Sequence, residues 1–270
     1  MSRRFLSGLF AAALVAVGTS ACSAQLGEST AGELGRVDFS YGASCFFGCS
    51  MDRPVLIGAA ERVDVTGDGD AQGVTAVSTA PTIATFNLKR SCACEQSSGN
   101  SATGMTVDAH GGCPDGFTKS CDNAIDMQAL AAGDAKLELL DPQGKLLDRV
   151  TVHVRKASSV HFERSTDGLQ DARPIDQLVL KSGETVTLSA KLLDADGKPL
   201  IARDAVDWGS QDASVAGFPV YQILTPDMVD DSAQGHSDWV TVKGGQPGTT
   251  SIQLEVSGLA QAVPVTVTGD

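Results

Sequence analysis

The sequence predicts an all-β protein, built as two tandem sandwich domains behind an export signal and a short tether. Three observations predict it. Apolar and polar residues alternate in short runs. Val186, Leu188, Ala190 and Leu192 are interleaved with Thr187, Ser189 and Lys191, and the pattern recurs at Thr250, Ile252, Leu254 and Val256 and at Val263, Val265 and Val267. That is the period of strands with one buried face, and no long helical periodicity competes with it. Second, two blocks recur within the chain. Ser78–Phe86 aligns with Ser210–Phe218, and Gly133–Leu139 with Gly248–Leu254, each of these glycines being followed seventeen residues on by Val-Thr-Val (Val150–Val152, Val265–Val267). Matched spacing in both blocks marks two copies of one domain. Third, every cysteine after Cys22 falls in the first copy.

Residues 1–21 have the grammar of a cleaved export signal. Arg3 and Arg4 make a basic start, Phe5, Leu6 and Leu9 to Val17 an apolar run too short to span a bilayer, and Gly18 to Ala21 a small-residue site. Ending on Cys22, the segment resembles a bacterial lipoprotein signal, with Thr19 where leucine is usual. The resemblance implies that Cys22 is acylated (palmitate being such an acyl group) and becomes the new N-terminus. One acyl chain holds a membrane weakly and several hold it firmly, at about 0.8 kcal/mol per buried CH₂. The alternative is ordinary cleavage near Ala21, leaving Cys22 to pair or remain a thiol. Residues 22–36, rich in Gly, Ser, Ala and Thr, read as a flexible tether.

The net charge is −13, and the signal removes two arginines and no acid. That excludes nucleic acid as an expected partner, since phosphate backbones demand a positive face. The expected partners are the membrane, through the lipid, and an envelope protein or glycan. The expected location is the cell envelope, at the outer membrane or the cell surface.

Residues 37–155 are the first domain. Its cysteines, Cys45, Cys49, Cys92, Cys94, Cys113 and Cys121, form an even set in an exported chain and read as three disulfides. The competing reading, thiolates of Cys45-x₃-Cys49 and Cys92-x-Cys94 on a structural metal, suits a reducing compartment better. If Cys92 to Cys94 is extended, the two thiols are expected on opposite faces and so with different partners. The connectivity stays open. Ala76 stands where the second copy has Trp208, and the stretch between the matched Phe86 and Gly133 is longer than that between Phe218 and Gly248, the excess falling among these cysteines. The cross-links are therefore expected to compensate for a missing tryptophan and a long insertion, at roughly 2–4 kcal/mol per bond.

Residues 156–270 are the second domain. In order it carries Leu178-Val179-Leu180, Val186-Thr187-Leu188, Asp194-Ala195-Asp196-Gly197, Val206-Asp207-Trp208, Val215-Ala216, Pro247-Gly248 and Val265-Thr266-Val267. This succession resembles bacterial immunoglobulin-like domains of group 2, found in intimin- and invasin-like adhesins. The resemblance implies two tandem immunoglobulin-like β-sandwiches, with Trp208 packed between the sheets and Phe86 and Phe218 in the cores. Pro219 to Asp238 is longer than the family's usual connection and reads as an exposed loop.

Nothing in the chain spells a reaction. Asp64-Val65-Thr66-Gly67-Asp68-Gly69-Asp70 lacks the acid that closes an EF-hand, Thr75 standing there, and reads as a turn. His110, His153, His161 and His236 fall in no metal pattern, and no nucleophile elbow, Walker loop or dinucleotide fingerprint occurs. No catalytic residue, metal or cofactor is assigned. The expected function is a non-enzymatic envelope lipoprotein serving as a structural spacer, adhesive or assembly element. The alternative is a binding module that uses the cysteine-rich insertion, Ser91 to Asp122, to hold a protein or glycan.

Overall fold

The computed structural model describes residues 28–42, 49–68, 72–96, 105–106, 112–165, 172–219 and 238–269, and among them no α-helix occurs. The strands of the first copy are β1 (Thr30–Ala31), β2 (Val37–Tyr41), β3 (Val55–Leu56), β4 (Ala60–Gly67), β5 (Thr75–Ser78), β6 (Ala84–Gln96), β7 (Met105–Thr106), β8 (Phe117–Ala129), β9 (Gly133–Leu140) and β10 (Leu146–Arg155). They make one sheet of order β1-β2-β4-β8-β6-β7 and another of order β3-β10-β9-β5. The second copy has β11 (Ser159–Ser165), β12 (Arg173–Pro174), β13 (Leu178–Lys181), β14 (Thr185–Leu193), β15 (Asp207–Ser210), β16 (Ala216–Gly217), β17 (Trp239–Gly244), β18 (Gly248–Val256) and β19 (Leu259–Thr268). Its sheets run β12-β11-β14-β17-β16 and β13-β19-β18-β15.

Apart from the short edge strands β1, β7 and β12, the two orders are the same. In each copy a short early strand runs parallel to the last one, β3 with β10 and β13 with β19, while the sheets are otherwise antiparallel. This is the two-sheet immunoglobulin-like arrangement. The repeated blocks occupy equivalent places: Ala76 pairs with Leu139 as Trp208 pairs with Leu254. At the next turn Ser78 Oγ donates to the Ala84 carbonyl (2.7 Å) and Ser210 Oγ to the Ala216 carbonyl (2.5 Å). The Val-Thr-Val segments differ slightly: Val150 lies opposite Leu137, but Val265 opposite Thr250, two residues nearer the start of its strand. The causes are the hairpin turn and a β-bulge between Leu146 and Asp148 of β10, one residue of offset each. Asp141 caps the first copy's turn, its Oδ1 accepting from the amides of Gln143 and Lys145, whereas Ser257 and Gly258 alone separate β18 from β19. A slip of two keeps every side chain on its face.

Among the described residues, Phe39, Tyr41, Met51, Leu56, Ile125, Met127, Leu137 and Leu139 are large, fully buried side chains of the first copy, and Leu178, Leu180, Leu188, Ile252 and Leu254 of the second. Burying a side chain of this size contributes about 1.5–3 kcal/mol. Trp208 is half-buried and reaches from β15 to Phe162 on the opposite sheet, ring centroids 6.1 Å apart and tilted by 53°. Phe86 and Phe218 are half-buried against the core. In the first copy no ring grows from Ala76; the aromatic bulk comes instead from Phe39 and Tyr41 on β2.

The cysteines lie elsewhere. β6 and β8, 13 residues each, form a long hairpin whose far end carries Cys92, Cys94 and Cys121, with Cys113 just before β8, whereas Cys49 is buried in the core opposite Tyr41. The two hairpin disulfides cross-link an extension and do not fill the tryptophan's place. The equivalent connection of the second copy, 220–237, is outside the described residues. Cys92 and Cys94 share a face, as residues two apart in a strand must. The expected opposite-face placement therefore fails. Different partners result instead from their different positions along the hairpin.

Candidate functional site

Three features bear on function: the strap that leads into the first domain, the joint between the domains, and the cysteine-bearing hairpin. The signal segment, Cys22, Cys45, Phe46, Phe47, His110 and His236 lie outside the described residues.

The strap, Gly32 to Val37, is held by the Glu33 amide, which donates to the Arg149 carbonyl (2.9 Å), and by one buried carboxylate. Asp148 sits on β10 at a position that should be apolar, since Val150, Val152 and Val154 continue the same inward face. Its Oδ1 accepts from the amides of Leu34 (2.8 Å) and Arg149 (2.8 Å), its Oδ2 from those of Arg36 (2.8 Å) and Val37 (3.0 Å). Asp148 has no solvent exposure. Burial alone raises its pKa, but the four amides together outweigh burial and hold the carboxyl below the ordinary aspartate value. A Cβ on Gly32 would come within 2.3 Å of the Asp148 Cγ, so the strap can lie this close only with glycine there. Outside, Glu33 bridges Lys136 (2.6 Å) and Arg149 (2.5 Å), and these hydrogen bonds lower its pKa. Exposed pairs of this kind contribute little to stability.

The joint is made by backbone. Ile201, in the loop after β14, forms a parallel bridge with Val55 of β3. Its amide donates to the Pro54 carbonyl (2.9 Å) and its carbonyl accepts from the Leu56 amide (2.8 Å). The Ala60 amide donates to the Arg203 carbonyl (3.1 Å), and Ser257 Oγ to the Ile57 carbonyl (2.9 Å). Val55, Leu56, Ile201, Ala202 and Val206 are all buried here. The second domain thus covers the free edge of β3, and the apolar side chains around the bridge keep water from its hydrogen bonds.

In the hairpin, Cys92 pairs with Cys121, its directly opposed neighbour in the β6–β8 ladder, and Cys94 pairs with Cys113. Cys49 is also disulfide-bonded, with a partner outside the described residues. Ala84, Met127 and Ile125 are buried on the inward face of the hairpin, but further out the same face carries half-buried Cys92 and Cys121 and exposed Arg90 and Lys119. The hairpin has passed the cover of the opposing sheet. The exposed large apolar side chains among the described residues, Leu34, Val77, Leu130 and Val179, are scattered and lie outside it.

The remaining sequence candidates are dispersed. His153 is bonded to Asp134 (2.9 Å), which also meets Arg155 (2.8 Å); the His153 bond, followed by that of Arg155, lowers the Asp134 pKa. His161 is exposed on β11, and Asp64 is paired with Arg62 (2.6 Å). Among the described residues no group of His, Cys, Asp or Glu is placed to hold a metal ion. The Tyr41 hydroxyl is buried without a hydrogen-bond partner among them, and burial pushes its pKa far up.

No family model matches the chain, and no curated protein does. Among solved structures, the S-layer protein SbsC domains 4 and 5 is similar at 18% identity and a TM-score of 0.29, over 52% of this chain and 68% of that one. The Escherichia coli adhesin FdeC is similar at 14% identity and a TM-score of 0.31, over 90% of this chain and 66% of that one. InvD of Yersinia pseudotuberculosis is similar at 19% identity and a TM-score of 0.26, over 80% and 56%. Likenesses this slight carry no argument, and the fold is read from strand order and register.

Proposed function

We propose that this protein is a non-enzymatic envelope lipoprotein, anchored through acylated Cys22, whose two immunoglobulin-like domains act as a stiff spacer or assembly arm. The observation that carries the reading is a continuous backbone route from the strap to the second domain. Asp148 ties the strap to β10, β10 pairs with β3, and β3 is bridged to Ile201. A pull on the tether therefore enters the first domain through the β1–β2 pairing and the hydrogen bonds to a buried carboxylate and leaves it through a bridged strand, with no flexible linker between. The membrane is the partner at one end, and an envelope protein or glycan is proposed at the other. Cell fractionation tests the anchor. Cys22→Ser should move the protein from the membrane to the soluble fraction, and unchanged membrane retention would contradict it.

One observation favours the hairpin as the recognition element instead: it outruns the opposing sheet and presents Arg90 and Lys119 on a chain of net charge −13. If so, Arg90→Glu with Lys119→Glu abolishes capture of the envelope partner, whereas a spacer keeps it.

A further inference from the structure

We propose that the Cys92–Cys121 disulfide is a thiol–disulfide exchange site, opened by the thiolate of a small molecule or another protein. Four observations on the hairpin support it, and none depends on the anchor or the spacer reading.

First, the bond is reachable. Cys92 and Cys121 are both partly exposed, so either sulfur can be attacked, whereas in the neighbouring bond only Cys113 is partly exposed and Cys94 is 1% exposed. Exposed disulfides are the ones that exchange. Second, the bond faces an open recess of about 390 Å³ lined by Gln72, Arg90, Cys92, Lys119 and Cys121. Third, two cations bracket it. In the ladder Arg90 lies opposite Asn123, Cys92 opposite Cys121, and the position of Cys94 opposite Lys119. Arg90 and Lys119 therefore sit diagonally on either side of the sulfurs, on the same face. Arg90 Nη1 donates to Asn123 Oδ1 (3.1 Å), which holds its guanidinium near the disulfide. Positive charge here raises the local concentration of an attacking thiolate and stabilises the thiolate that leaves. Fourth, the strands do not depend on the bond. Pairing continues on both sides of it, from Ala84 opposite Ala129 to Gln96 opposite Phe117. Opening the disulfide removes no backbone hydrogen bond of that ladder.

The chemistry balances with a thiol as the sole co-reactant. The incoming thiolate attacks one Sγ, a new sulfur–sulfur bond forms, and the Cys92–Cys121 bond breaks, its other sulfur leaving as a thiolate beside Arg90 or Lys119. In this first step the incoming sulfur is oxidised to the disulfide level and the leaving sulfur is reduced to a thiolate, so no further oxidant or reductant is needed. A second thiolate then releases the pair as two thiols and leaves with the first as an external disulfide, so two external thiols are oxidised while the cystine is reduced. Alternatively, the freed cysteine thiolate attacks back and expels the incoming thiol.

The test is timed exchange on the full-length oxidised protein, using glutathione and cysteamine as probes, with acid quenching, alkylation and peptide mass spectrometry. With glutathione, Cys92 and Cys121 should be modified about tenfold or more faster than Cys94 and Cys113. Arg90→Gln with Lys119→Gln should slow that opening about threefold or more and leave the Cys94–Cys113 rate unchanged. Anionic glutathione should outpace cationic cysteamine in the unmodified protein, which keeps the proposal testable if the double variant folds poorly. Simultaneous opening of all bonds, or earlier opening of Cys94–Cys113, would overturn it. So would equal glutathione and cysteamine rates.

Discussion

Replacing Asp148 with asparagine changes one atom, and the geometry allows its cost to be worked out. Each carboxylate oxygen accepts two amides: Oδ1 those of Leu34 and Arg149, Oδ2 those of Arg36 and Val37. Whichever way the asparagine amide is turned, its NH₂ confronts two N–H donors that then lose their acceptor. A buried donor left unsatisfied costs about 1–3 kcal/mol, so the two together cost about 4 kcal/mol at the centre of the range. That is a large share of the 5–15 kcal/mol typical of a folded domain. Urea unfolding followed by circular dichroism measures it. With a urea slope of about 2 kcal/mol per molar, the first domain's midpoint should fall by about 2 M. The pH dependence fixes the cause. The folded carboxyl lies below its unfolded value of about 3.9, so its contribution is fully present above that value and lost as pH falls through the folded pKa. The gap between wild type and Asp148→Asn should therefore narrow as the pH drops below about 4. A gap at neutral pH under about 1 kcal/mol, or one that does not change with acid, would refute the reasoning.

Three other outcomes follow from the same structure. Gly245→Ala would put a Cβ 2.2 Å from the Ser214 carbonyl oxygen, so the second domain's transition should fall by several degrees; Trp208 and Trp239, the chain's two tryptophans, both lie in that domain and report it by fluorescence. Trp208→Ala removes the ring that meets Phe162 across the sandwich and should cost about 2–3 kcal/mol in denaturant unfolding, below the value for a fully buried ring. Reducing Cys92–Cys121 and Cys94–Cys113, which span 29 and 19 residues, should lower the first domain's stability by about 3 kcal/mol per bond in the chain-entropy view, leaving the tryptophan-reported transition in place.

The strands and the repeat were legible because each strand buries one face. Val186, Leu188, Ala190 and Leu192 read as alternation, and all four are buried. The paired blocks were legible because equivalent turns need equivalent residues, as Ser78 and Ser210 show. What bears on function was harder to see. The joint between Val55 and Ile201 is made by amides and carbonyls, which every residue carries, so no residue type announces it. The hairpin was hidden because Ser97 to Gly104 has loop composition, although it lies between β6 and β7, and β6 and β8 are strands of 13 residues. Asp148 did leave a signal: it is an acid in the inward phase of Asp148, Val150, Val152 and Val154. Three of its four partners, however, are more than 110 residues away in sequence, beyond any local pattern.

A spacer needs its two domains joined as one stiff unit, here through the bridge at Ile201. The rotational correlation time of each domain, from backbone ¹⁵N relaxation of the protein without residues 1–22, tests it most directly. Both domains should share one correlation time, the value expected of the whole molecule, with separation into two shorter times in Ile201→Pro, which lacks the amide that donates to Pro54. Two independent, domain-sized correlation times in the unmodified protein would contradict it.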